Sequence, residues 1–138
     1  MKVEITTPEA KVWSGESHSV SLPAFEGEIT VLDNHIPLVT EIVPGTVTIR
    51  VGGVEVLLAV TRGIAETDGK SLKLLVQSAD RAEKLEEAAI EEAKLRAEKL
   101  VSERKHDEEG FAEATALLER ELAKLQVVRR RRERRRIS

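Results

Sequence analysis

The hydrophobic period of the chain changes once, near Ser78, and that change limits what 138 residues can fold into. Before it, short runs rich in β-branched residues are punctuated by Gly and Pro: VEITT, AKVWSG, SHSVSLP, GEITVLD, PLVTEIV, GTVTIRV, GVEVLLAV, RGIAETD and SLKLLVQ. Within Thr46–Val51, Val47, Ile49 and Val51 alternate with Thr48 and Arg50, the period of a strand with one buried face. Val51-Gly52-Gly53-Val54 predicts a tight hairpin, because Gly-Gly supplies the positive φ that such turns need. Asp68-Gly69 marks a second hairpin and Pro44-Gly45 a further turn. Many short strands with frequent turns and no intervening helix predict an antiparallel β-sandwich over residues 1–84.

From Leu85 onward there is no proline, and Ala, Glu, Lys, Leu and Arg dominate. Leu85, Ala89, Ala93, Ala97, Leu100 and Val101 form one helical stripe. After the polar break KHDEEG, a second runs through Phe111, Ala114, Leu118, Leu122 and Leu125. Asp107 is the expected N-cap, with Glu108 and Glu109 suited to the positive helix N-terminus. Residues 85–138 are therefore expected to form an antiparallel two-helix hairpin, making the class α+β. The first stripe is mostly alanine, and burying a methyl contributes only about 0.8 kcal/mol, so the hairpin is expected to open at modest cost.

Composition excludes much. With no cysteine there is neither disulfide nor thiolate chemistry. With Trp13, Phe25 and Phe111 as the only aromatics, the core must be aliphatic. No apolar run approaches the roughly 20 residues of a membrane span, and no signal-peptide pattern opens the chain, so a soluble intracellular protein is expected. His18, His35 and His106 fall on different elements without metal-ligand spacing. No nucleophile elbow or phosphate loop is present; Gly69-Lys70-Ser71 lacks the upstream glycine and reads as a turn. No metal, cofactor or catalytic residue is expected.

Charge is unevenly placed. Residues 1–79 carry 6 Lys/Arg against 10 Asp/Glu, residues 80–121 carry 8 against 14, and residues 122–138 carry 8 against 1. Seven of those terminal charges are Arg129, Arg130, Arg131, Arg132, Arg134, Arg135 and Arg136. Such a block points to an anionic partner. A β-sandwich module with a nucleic-acid-binding tail is one reading, although the tail lacks interleaved aromatics for base stacking. A helical-hairpin chaperone or assembly factor is another.

The stretch GEITVLDNHIPLVTEIVPGTVTIR separates these readings. It resembles the G-E-[IFL]-x-[VI]-L-x-x-H-A-P-L-[LV]-T-x-[IL]-x-P-G signature of the epsilon subunit of F-type ATP synthases. TTPE, Trp13-Ser14-Gly15, Gly63-Ile64-Ala65-Glu66, Leu72–Ala79, Phe111–Ala114 and LAKLQV resemble further family segments, in order along almost the whole chain. The resemblance implies a non-catalytic rotor subunit of the proton-translocating enzyme, peripheral on the cytoplasmic face of the cell membrane. Its sandwich would dock on the gamma subunit and on the c-ring, with Glu28, Asp33 and His35 as the c-ring contacts. Its second helix would reach the catalytic head and inhibit ATP hydrolysis, the seven arginines facing an acidic segment of the beta subunit beside alpha. Some relatives bind ATP between the helices through [IL]-D-x-x-R-A. Here Leu85–Ile90 reads LEEAAI, so Glu86 replaces Asp and Ala89 replaces Arg, although Arg96, Arg120 and Lys124 match downstream basic positions. Without the fork-shaped donor at position 89, weak or absent ATP binding is expected.

Overall fold

The computed structural model describes residues 1–137, and side chains through Arg134. Ten strands come first: β1 (Lys2–Thr6), β2 (Lys11–Glu16), β3 (Ser19–Ala24), β4 (Gly27–Leu32), β5 (Leu38–Ile42), β6 (Gly45–Val51), β7 (Val54–Val60), β8 (Gly63–Thr67), β9 (Ser71–Val76) and β10 (Ala79–Arg81). They pair as two five-stranded layers, β4-β3-β6-β7-β10 and β5-β8-β9-β1-β2, joined where Ala24 of β3 pairs with Ile42 of β5. Side chains from both layers meet in one aliphatic core that includes Val3, Ile5, Leu22, Ile49, Leu58 and Leu74. The expected sandwich is present.

Local chemistry accounts for the connections. Gly52 and Gly53 take φ of 53° and 82°, the two positive values of a type I′ turn, and Val51 pairs directly with Val54. Asp68-Gly69 turns β8 into β9. Pro44-Gly45 plays a different part: β5 and β6 lie in different layers, so the chain changes layer there. Gly63 is required by close approach, since a Cβ there would sit 2.0 Å from the Leu75 carbonyl oxygen on the neighbouring strand.

Two features depart from the expected strand set: one pairing is parallel, and one short strand is additional. β1 pairs parallel to β9, which a distant return of the chain permits and a hairpin does not. β10 extends the first layer beside Leu58–Val60 of β7; three residues are too few to show a period in sequence.

A 3-10 turn (Ala82–Lys84) leads into α1 (Glu87–Glu103), and Arg104–Asp107 connect it to α2 (Glu108–Ile137). The helices form the expected hairpin, and α2 also lies on the outer faces of β6 and β7. At 1.5 Å per residue its 30 residues span about 45 Å. The double partnership changes which residues are buried. In α1, Ile90 and Ala97 are buried while Ala89 is exposed. In α2, Ala114, Ala123, Leu125 and Val127 are buried, whereas Phe111 and Leu122 stay largely exposed. A helix with two partners buries two stripes, and a one-stripe reading misassigns part of each. A second small core, Leu57, Ala59, Ala82, Ala123 and Val127, joins α2 to the sheet.

Candidate functional site

The corner between β4 and β5 is built by Asn34, the one non-glycine residue with positive φ (63°) among those described. Its N–H donates to Gly69 O at 2.9 Å, and the His35 N–H to Leu32 O at 3.1 Å. Gly69 has φ 97°, and a Cβ there would lie 2.9 Å from His35 O, so the corner and the β8–β9 turn interlock. The turn itself is fixed by Asp68, whose Oδ1 accepts the N–H groups of Lys70 and Ser71, both at 2.9 Å. Those two donors hold its carboxyl below the usual carboxylate range. Asp33 accepts the Met1 ammonium, which also donates to Ser17 O at 2.8 Å. The bond to Asp33 raises the ammonium pKa against an opposing effect of burial. His35 closes the corner with Nδ1 2.7 Å from Ile36 O, and Ile36 stands out into solvent.

Asp33 and His35 thus come together on one rim. Glu28 does not join them: it opens β4 where they follow its end, about 16 Å away at the rise of a strand. Its carboxylate lies 3.9 Å from Arg130 of α2 instead.

A surface that the sequence reading missed lies on the outer face of β5, β8 and β9. Val39 (68% exposed), Ile64 (50%) and Leu75 (57%) share it, with Ile64 directly opposite Leu75 in register. Phe25 (71% exposed) is tied to the same edge by its N–H to Glu41 O at 3.2 Å. The available signal was the unbroken Leu74-Leu75-Val76: strict alternation would place a polar residue at 75. On the same face Glu41 lies opposite Ile64 and Glu66 opposite both Val39 and Lys73, so the exposed apolar side chains alternate with charged ones.

The middle of α2 is clipped to the sandwich. Arg120 makes a bidentate pair with Asp80 of β10, both bonds at 3.0 Å, which pushes its guanidinium pKa further up. Arg62 reaches Glu119 at 3.1 Å. Lys124 pairs with the buried Glu121 at 3.2 Å. Of the positions matching a nucleotide site, Arg120 and Lys124 face carboxylates of this chain, while Glu86 and Arg96 are exposed. Among the described residues no group of three or more His, Asp or Glu could hold a metal ion.

The arginine block meets carboxylates of the chain itself. Arg129 lies 3.2 Å from both Glu87 and Glu91, Arg132 lies 2.8 Å from Glu87, and Arg134 contacts Glu55. Arg131 lines a cleft with Glu55, Arg81 and Glu83. The side chains of Arg135 and Arg136 lie outside the described residues.

The beta-sandwich domain of the ATP synthase delta/epsilon chain matches residues 1–82, more than half of the chain. The chain belongs to this family. An ATP synthase epsilon chain of Chromobacterium violaceum is 39% identical over 132 residues, covering 93% of this chain and 92% of the relative. One from Herminiimonas arsenicoxydans is 35% identical over 98% and 97%. In fold, the chain is similar to one in the mitochondrial ATP synthase of Euglena gracilis (OSCP/F1/c-ring), with TM-score 0.70, 19% identity and coverage of 88% of this chain and 76% of that one. As an epsilon-type chain it is a central-stalk subunit of an ATP synthase and catalyses nothing itself. No described helix is long and apolar enough to cross a membrane.

Proposed function

We propose that this subunit turns with the central stalk, couples c-ring rotation to the catalytic head, and brakes ATP hydrolysis through α2. The observation that carries the reading is the pairing of an epsilon-type sandwich, bearing exposed Val39, Ile64 and Leu75 on one outer face, with an arginine-ended helix long enough to reach beyond it. Val39, Ile64, Leu75 and Phe25 form the seat on the gamma subunit. Asp33 and His35, on the rim, meet the polar loops of the c-ring, and Glu28 adds a contact from the other end of β4. The complex holds the chain at the cytoplasmic face of the membrane without inserting it. In the braking state α2 leaves the sandwich, and its arginines pair with acidic groups of the beta subunit beside alpha. ATP binds weakly or not at all, because Arg120 and Lys124 are engaged by Asp80 and Glu121 and position 89 is alanine.

The experiment is ATP hydrolysis by the cognate head lacking this subunit, with the full chain or a version ending at Lys84 added back. The full chain should bind and inhibit, and the truncation should bind without inhibiting. Binding by both with inhibition by neither would remove the brake. Binding by neither would remove the stalk role.

A further inference from the structure

The surface on which α2 rests changes character along its length. The outward row of β6 and β7 pairs Thr46 with Ala59, then Thr48 with Leu57, then Arg50 with Glu55. Under the middle of α2 the contacts are apolar or bidentate: Ala123 and Val127 on Leu57 and Ala59, and Arg120 on Asp80. Past Val128 they are ionic. Arg134 meets Glu55, which also holds Arg50 at 3.3 Å, and Arg129 and Arg132 meet Glu87 and Glu91 at the start of α1. Beside this end lie hydroxyls rather than aliphatics: Arg50 donates to Ser19 and Ser21 at 3.2 and 2.9 Å, and Thr30 shares a 2.8 Å bond with Ser21. Farther along the row, Thr46 Oγ1 is buried with no partner. If the arginine end lifts, the surface it uncovers is readily wetted, and five ion pairs, Arg130–Glu28 among them, are exchanged for solvated charges.

We propose that Glu55, Glu87 and Glu91 form an intramolecular clamp on the last turns of α2, and that an acidic partner surface engages the arginines only by displacing these three carboxylates. In the chain alone, opening starts at the C-terminal end and stops near Val128, where the Arg120–Asp80 pair and the small apolar core still hold; departure of the whole helix in the braking state requires those contacts to break as well. The clamp rests on the reading of α2 as a helix that seeks an acidic surface. It gives that reading a threshold: the partner must out-compete a like-charged site already in place.

The chain has no native cysteine, so two label pairs can be introduced for spin-label distances: Val54→Cys with Glu133→Cys, and Val54→Cys with Leu117→Cys. The full chain is measured alone at low and high salt, as Glu55→Gln/Glu87→Gln/Glu91→Gln, and with a glutamate oligopeptide. Glu28 is left intact because it is proposed as a docking residue. The triple variant removes the four ion pairs that these carboxylates make to α2, each worth a factor of about two, so the open population for the 54–133 pair should rise by a factor of roughly fifteen. Salt and the oligopeptide should move the same pair in the same direction, and the 54–117 distance should stay narrow. An unchanged 54–133 distribution in the triple variant would overturn the clamp. So would equal broadening at both pairs, because the helix would then leave as a unit. These distances are read without the catalytic head, so they succeed or fail separately from inhibition of hydrolysis.

Discussion

β6 and β7 present two faces made from alternate residues of the same sequence. Inward, Val47, Ile49, Leu58 and Val60 are sealed in the sandwich core. Outward, Thr46, Thr48, Leu57 and Ala59 are just as buried, but under α2. The inner face has no polar atom to solvate, so opening it exposes only hydrocarbon. The outer face is half hydroxyl and its cover is fastened largely by charge. Equal burial therefore conceals unequal commitment. One interface is permanent, and the other is suited to a layer that leaves.

Neighbouring leucines break the comparison most sharply. Leu58→Ala should lower the stability of the whole sandwich by about 2–5 kcal/mol, read by denaturant unfolding. Leu57→Ala should cost roughly 1–3 kcal/mol and loosen α2 while leaving the strands protected, read by hydrogen exchange. If Leu57→Ala lowered strand protection as far as Leu58→Ala does, the two faces would be one cooperative unit. Next in size, Ile64→Ser with Leu75→Ser should weaken binding to the gamma subunit by about tenfold or more with the fold intact, measured by calorimetry. Unchanged affinity would place the seat elsewhere.

Smaller effects come from charge. Raising salt from about 50 to 500 mM should weaken the clamp pairs by a few tenths of a kcal/mol each and leave the strands unaffected, visible as faster exchange in residues 129–134 alone. The smallest is at Asp68. Its folded pKa is depressed by the Lys70 and Ser71 N–H groups, so its contribution is full above its unfolded value and is lost as pH falls through the folded one. Asp68→Asn should remove that acid-side dependence, followed by amide shifts of the β8–β9 turn, with no change near neutral pH.

Much of this was legible in the sequence for physical reasons. Period-two runs bounded by Gly-Gly and Asp-Gly encode strands and turns locally, and the proline-free segment after Leu85 encodes helices. What stayed hidden depended on partners distant along the chain. β10 exists because Leu58–Val60 offer it an edge. Ile90 rather than Ala89 is buried because α2 sets which way α1 faces. The corner residues were visible by their resemblance to a family signature, but Glu28 separates from Asp33 and His35 because β4 intervenes, as the residue count along that strand already implied. The carboxylate partners of the arginines were beyond reach, since Glu55 and Arg134 meet across 79 positions.

The claim that α2 is a removable layer on a permanent sandwich is tested most directly by native-state hydrogen exchange of the full chain in rising denaturant. The account predicts three levels of opening free energy: lowest for residues 129–134, intermediate for 114–127, and equal to global unfolding for β6 and β7. A single value shared by helix and strands would contradict it.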